Sequence, residues 1–132
     1  MKKSSHHVLR IGLVVTFLWI GVLILRQPEA WGGYLKPWAV GLLPVSVARA
    51  MVVTAVLDVA IGISLLIGPA VWIAAFIGAI HIALVLVVSG ITDITVRDIA
   101  ILAAAIALAL DSLPETFYNK IKSLGNEKET NN

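Results

Sequence analysis

The 132 residues include no cysteine, which excludes a disulfide framework, a thiolate metal site and a thiol-based redox relay within this chain. Charge is nearly as scarce. Charged residues make up 14% of the chain, against about 25% in soluble domains. The ten basic residues exceed the eight acidic ones by two. They are scattered through tails and loops with no interleaved aromatics, so there is no nucleic-acid footprint. His6 and His7 are too few to form a metal site. His81 is the only histidine inside an apolar run, so a bis-histidine haem would lack its second ligand.

What the chain has in excess is apolar: 59% of residues are hydrophobic, with a mean hydropathy of +0.95. A soluble domain this short leaves too much surface facing water to hide so many. Lipid is the expected solvent. Four apolar runs, residues 8–25, 50–68, 70–91 and 94–110, are each long enough as helices to cover about 25 to 33 Å, close to the hydrocarbon thickness of a bilayer. The expected fold is all-α, an integral membrane four-helix transmembrane bundle, with one domain over residues 1–132 and a polar tail at 112–132.

Lys2 and Lys3 before the first run give it the look of a secretory signal, but Gln27-Pro28-Glu29-Ala30-Trp31 follows it with no small-x-small cleavage site. It reads as an uncleaved anchor. The segment from Arg26 to Arg49 carries Pro28, Pro37 and Pro44 with Trp31, Tyr34 and Trp38. Proline stops helices and Trp and Tyr favour the headgroup level, so this loop is expected along the membrane surface. Gly68-Pro69 leaves almost no loop between the second and third runs, which predicts a tight antiparallel hairpin. The tail, rich in Lys, Glu and Asn, reads as disordered.

Lys2, Lys3, Arg10, Lys120, Lys122 and Lys128 fall on the side of the termini, and Arg26, Lys36, Arg49 and Arg97 on the other. This bias places both termini in the cytoplasm, with the protein in the cell membrane. Small residues at four-residue spacing, Ala70, Ala74, Gly78 and Ala75, Ala79, Ala83, predict close helix packing in the third run. Trp19 reads as a packing residue, and Arg10 as an interfacial anchor.

Two ionisable residues fall in mid-span, Asp58 in the second run and His81 in the third. A central Asp costs about 2.5 to 3.5 kcal/mol on insertion scales, so it is expected to face the bundle. The near-loopless hairpin sets Asp58 and His81 at nearly equal depth, about 15 to 18 Å from the turn. Gly62 and Gly78 share their respective faces, which predicts direct contact of the two helices there. The pair is then either an intramembrane proton or ligand site, suited to a quinone carbonyl, or an interhelical hydrogen bond worth about 0.6 kcal/mol. Asp93 stands four residues before Arg97, a spacing that predicts an ion pair on one helical face. With Asp98 and Arg49 these residues could form an interfacial rim that holds an anion. Alternatively, Arg97 simply snorkels.

The chain resembles the DoxX family of small prokaryotic four-helix membrane proteins. The likeness runs from about Leu9 to Leu110. It rests on Leu9-Arg10-Ile11-Gly12, Phe17-Leu18-Trp19-Ile20-Gly21, Pro28-Glu29-Ala30-Trp31, Gly33-Tyr34, Pro37-Trp38 and Leu42-Leu43-Pro44. Later in the chain it continues through Leu57-Asp58, Gly62, Leu65-Leu66, Gly68, His81 and Asp93-Ile94-Thr95-Val96-Arg97-Asp98. The order and spacing carry it, since no single piece is specific. This chain has Leu23 and Ile24 where relatives commonly carry an acidic and a basic residue, and Asp58 where they commonly carry Glu. The resemblance implies a subunit or partner of a membrane oxidoreductase that feeds electrons to quinone, with no bound metal. A small proton-coupled transport or permeability protein, and a structural membrane partner that recruits soluble proteins, stay open beside it.

Overall fold

The computed structural model describes residues 1–117, 119, 120 and 123, and all regular structure among them is helical. The expected disordered tail, with Lys122 and Lys128, lies mostly outside the described residues. Helix α1 spans Lys3–Arg26, α4 Val47–Ile67 and α5 Val71–Ser89. These three helices are long and apolar enough to cross a membrane. Two short helices, α2 (Pro28–Gly32) and α3 (Pro37–Gly41), interrupt the proline-rich segment. Each starts on its proline, where the missing N–H costs nothing. The fourth run departs from a continuous span: a 3₁₀ turn at Thr95–Arg97 precedes α6, Asp98–Asp111, of 14 residues.

Gly68 ends α4 in the left-handed region at φ 94°, its N–H bonded to the Ser64 carbonyl, and Pro69 and Ala70 lead straight into α5. This is the tight hairpin that Gly68-Pro69 predicts, closed by the residue type that tolerates positive φ. Arg10 is not a simple interfacial anchor. Its Nε and Nη2 donate to the carbonyls of Leu65 and Leu66 at 2.6 and 2.9 Å, so a cation covers the last turn of α4, where the free carbonyls concentrate negative charge.

The helices pack as two intimate pairs, α1 with α4 and α5 with α6, joined by looser contacts of α4 with α5 and α1 with α6. In the half of the bundle that holds the termini, the pairs are sealed by a core containing Leu13, Phe17, Ile61, Leu65, Ala75 and Leu108. At that end Asp111 accepts from the Met1 ammonium at 2.6 Å and lies 2.7 Å from His6. Hydrogen bonds from these two groups hold the Asp111 carboxyl below the usual carboxylate range. At the opposite end, where no such core continues, α2 and α3 lie across the bundle. The Lys36 N–H donates to the Val88 carbonyl at 2.9 Å, and Trp31 and Leu35 pack on Ile24 and Met51.

The expectation that Gly62 and Gly78 bring α4 against α5 holds only in part: a Cβ on Gly78 would lie 3.4 Å from Ile61 of α4, but the nearest neighbour of each glycine is α1. A Cβ on Gly62 would strike Leu18 of α1 at 2.7 Å, and one on Gly78 would strike the Phe17 ring at 2.9 Å. Both glycines make room for α1, which wedges into the crease between α4 and α5. The alanine rows of α5 are spent differently: Ala74, Ala75 and Ala79 are buried in the shared core.

Candidate functional site

Asp58 and His81 meet. Nε2 of His81 lies 3.0 Å from Oδ1 of Asp58, and the two residues are only 8% and 3% exposed. The hairpin at Gly68 sets their depth, and α1 closes the site from behind. A Cβ on Gly21 would come within 3.0 Å of the Ala55 carbonyl and 3.2 Å of the Asp58 Cβ, so only glycine lets the α1 backbone pass. Covered in this way, the carboxylate has lost most of its water, and the imidazole is the partner that offsets the loss.

The pair lies at the inner end of a cavity of about 720 Å³ that runs from Phe17 to the α2–α3 cap. That is the size that encloses a drug-sized ligand, about 300 to 1,000 Å³. The walls are apolar and aromatic, with Ile20, Trp31, Tyr34, Met51 and Ile101 prominent. Polar groups are few: besides Asp58 and His81, they come from Thr16, Thr54, Ser89 and Thr95, and from Arg97 and Asp98 where α6 begins. Asp98 is half-buried and close enough to Asp58 and Arg97 to interact electrostatically with both. An acid–base pair at the closed end of an apolar chamber can hold a polar headgroup and exchange a proton with it.

The expected rim forms only in part. Arg97 and Asp98 line the cavity, whereas Arg49 and Asp93 do not and are exposed. Among the described residues, Asp93 and Arg97 make no ion pair. The four-residue spacing brings side chains together only on a continuous α-helix, and the α-helix begins at Asp98. Trp19 is also corrected: it is 67% exposed and stands at the flank of the cavity instead of packing in the core.

A device the sequence reading missed holds the start of α6. The Thr92 N–H donates to Thr95 Oγ1 at 2.8 Å and the Thr95 N–H to Thr92 Oγ1 at 3.1 Å, a reciprocal arrangement like a capping box. Thr95 Oγ1 also donates to the Gly90 carbonyl. Thr-x-x-Thr after a glycine was the available signal. Gly90 itself sits at φ 73°, ψ −177°, a region open in practice only to glycine. The cap residues Trp31 and Tyr34 were read as surface anchors, and their role as cavity wall could not be seen before α2 was placed.

No family model matches the chain, and no curated protein or solved structure matches it.

Proposed function

We propose that this chain is a four-span, DoxX-like protein of the cell membrane, with both termini cytoplasmic, that binds the headgroup of a quinone in the cavity above Asp58 and His81 as an accessory subunit of a membrane oxidoreductase. The observation that carries the reading is the buried Asp58–His81 contact at the closed end of an apolar, aromatic chamber. Segments that carry the family resemblance, around Phe17, Asp58, His81 and Arg97-Asp98, all contribute to that chamber. The donor set fits a quinone: a flat ring finds apolar walls, the imidazole can donate to a quinone carbonyl, and the carboxylate can accept from a hydroxyl of the reduced quinol. A bound quinone would supply two-electron chemistry coupled to protons.

The chain's own part is to exclude water, orient the headgroup and hold the proton. With 3.0 Å between His81 Nε2 and Asp58 Oδ1, a proton could pass between the two groups, and a carbonyl oxygen within reach of either atom would complete a relay. Asp98 and Arg97 at the loop end offer a route by which that proton could reach the interface. Permeation is the weaker reading, because the core around Leu13, Phe17, Ile61 and Leu65 fills the other half of the bundle.

The test uses the full chain in lipid nanodiscs, with a short-chain ubiquinone titrated against tryptophan fluorescence. Saturable quenching is expected, weakened at least tenfold in Asp58→Asn and in His81→Gln. Quenching that is linear, or equal in native and variant chains, would reject the site.

A further inference from the structure

We infer that the ligand of this cavity is a single-tailed lipid that enters sideways from the bilayer, its tail leaving through the seam between α1 and α6. The inference rests on the headgroup site proposed above and adds the ligand class and its route.

The cavity is a slot between the two helix pairs, and some of its lining residues also face outward. Trp19 is 67% exposed and Val15 58%, both on α1, and Ala100 of α6 is exposed as well. A residue that both lines a chamber and faces the membrane marks a mouth on the lipid side. The way in from the loop end is covered by α2 and α3, which carry Trp31 and Ala39 into the wall. At about 720 Å³ the chamber takes a ring with the first part of its chain, and the rest of a long prenyl tail has to lie outside it.

Two flanks of the slot show exposed lining residues, since Leu84 of α5 is also 57% exposed. The seam between α4 and α5 is the less able to part. It is tied at one end by the Gly68-Pro69 hairpin, and at the other the cap is bonded to α5 through Lys36 and Val88. The α1–α6 seam has no covalent tie, and its polar contacts cluster at the far end, at Asp111. From Val15 to Ile20, α1 lines one side of the slot, and α6 lines it with Asp98, Ala100 and Ile101. The small, exposed Ala100 gives this seam its opening for a prenyl chain.

The experiment compares two probes in nanodiscs, a tail-free dimethoxy-benzoquinone and the same ring with a prenyl tail, on four chains: native, Ala100→Trp, Val15→Trp and Leu84→Trp. All three positions are exposed, so added bulk costs the core nothing, and circular dichroism checks folding. Each added tryptophan is read against its own unliganded fluorescence. In the native chain the tailed probe is expected to bind at least tenfold tighter than the tail-free one at equal membrane concentration. Read as the ratio of tailed to tail-free affinity within each chain, Ala100→Trp and Val15→Trp are expected to remove that advantage, and Leu84→Trp to leave it in place. Loss of the advantage in Leu84→Trp alone would overturn the α1–α6 route, and equal binding of both probes to the native chain would overturn the tail itself. Failure of both probes to bind the native chain would remove the headgroup site on which the inference rests.

Discussion

Midway along α4 and α5, Asp58 and His81 are each other's means of staying buried. Removing one member of a buried pair strands the other, at a cost of about 3 to 5 kcal/mol, whereas an isolated interhelical hydrogen bond averages about 0.6 kcal/mol. The two magnitudes separate a pair that carries charge from simple structural glue. We expect Asp58→Asn and His81→Gln each to destabilise the chain in detergent, and the double variant to cost less than their sum, with an interaction term of about 0.5 to 3 kcal/mol in a double-mutant cycle. Strict additivity would contradict the 3.0 Å contact. Their meeting was legible before any coordinates, because a loop of almost no length leaves depth as simple counting from Gly68. The Asp93–Arg97 pair was misread for the complementary reason. Counting works only inside a regular helix, and the one sign that the α-helix waits until Asp98 is Thr92-x-x-Thr95 after Gly90.

Among the helices, α1 decides how α4 and α5 are arranged. Leu18 fills the notch at Gly62 and Phe17 the notch at Gly78, so the two glycines assigned on sequence grounds to an α4–α5 contact first serve a third helix, with Gly78 also facing Ile61 of α4. Spacing along one helix says which residues share a face and is silent about which neighbour that face meets. Three of the four expected spans are found as helices long and apolar enough to cross a membrane, as is the hairpin, while the pairing of α1 with α4 was therefore not legible in spacing alone. Gly62→Leu is expected to push α1 off α4 and cost about 1 to 3 kcal/mol by overpacking. Leu18→Ala in the same chain should recover part of that loss by vacating the space. Equal stability of Gly62→Leu and the native chain, measured by thermal unfolding in detergent, would contradict the close approach.

Taken whole, the molecule is sealed at one end and hollow at the other. The sealed end gathers both termini of the helical bundle, since Met1 and His6 reach Asp111, and the hollow end carries the α2–α3 cap and the start of α6. An even number of crossings follows if α6 completes a span, and the orientation proposed above puts Lys2 and Lys3 on the cytoplasmic side. Because the native chain has no cysteine, single cysteines at Ser4, Gly33, Asp93 and Ser123 report orientation through an impermeant maleimide applied to intact cells. Labelling is expected at positions 33 and 93 and not at 4 or 123. Labelling at 4 would reverse the orientation, and labelling at 93 but not at 33 would break the four-span topology.

The closeness of Gly21 to Asp58 also bears on how the chain is made. Asp58 leaves the ribosome 23 residues ahead of His81, which at about 5 to 20 residues per second is a wait of roughly one to five seconds. Throughout that interval its carboxyl has no imidazole to meet. The notch at Gly21, which admits the Asp58 Cβ, belongs to α1 and is synthesised earlier. A close fit of α1 on α4 is thus available to the chain before the imidazole is. A bulky residue at position 21 would be felt first as chains lost at insertion, before any finished protein existed to be weakened.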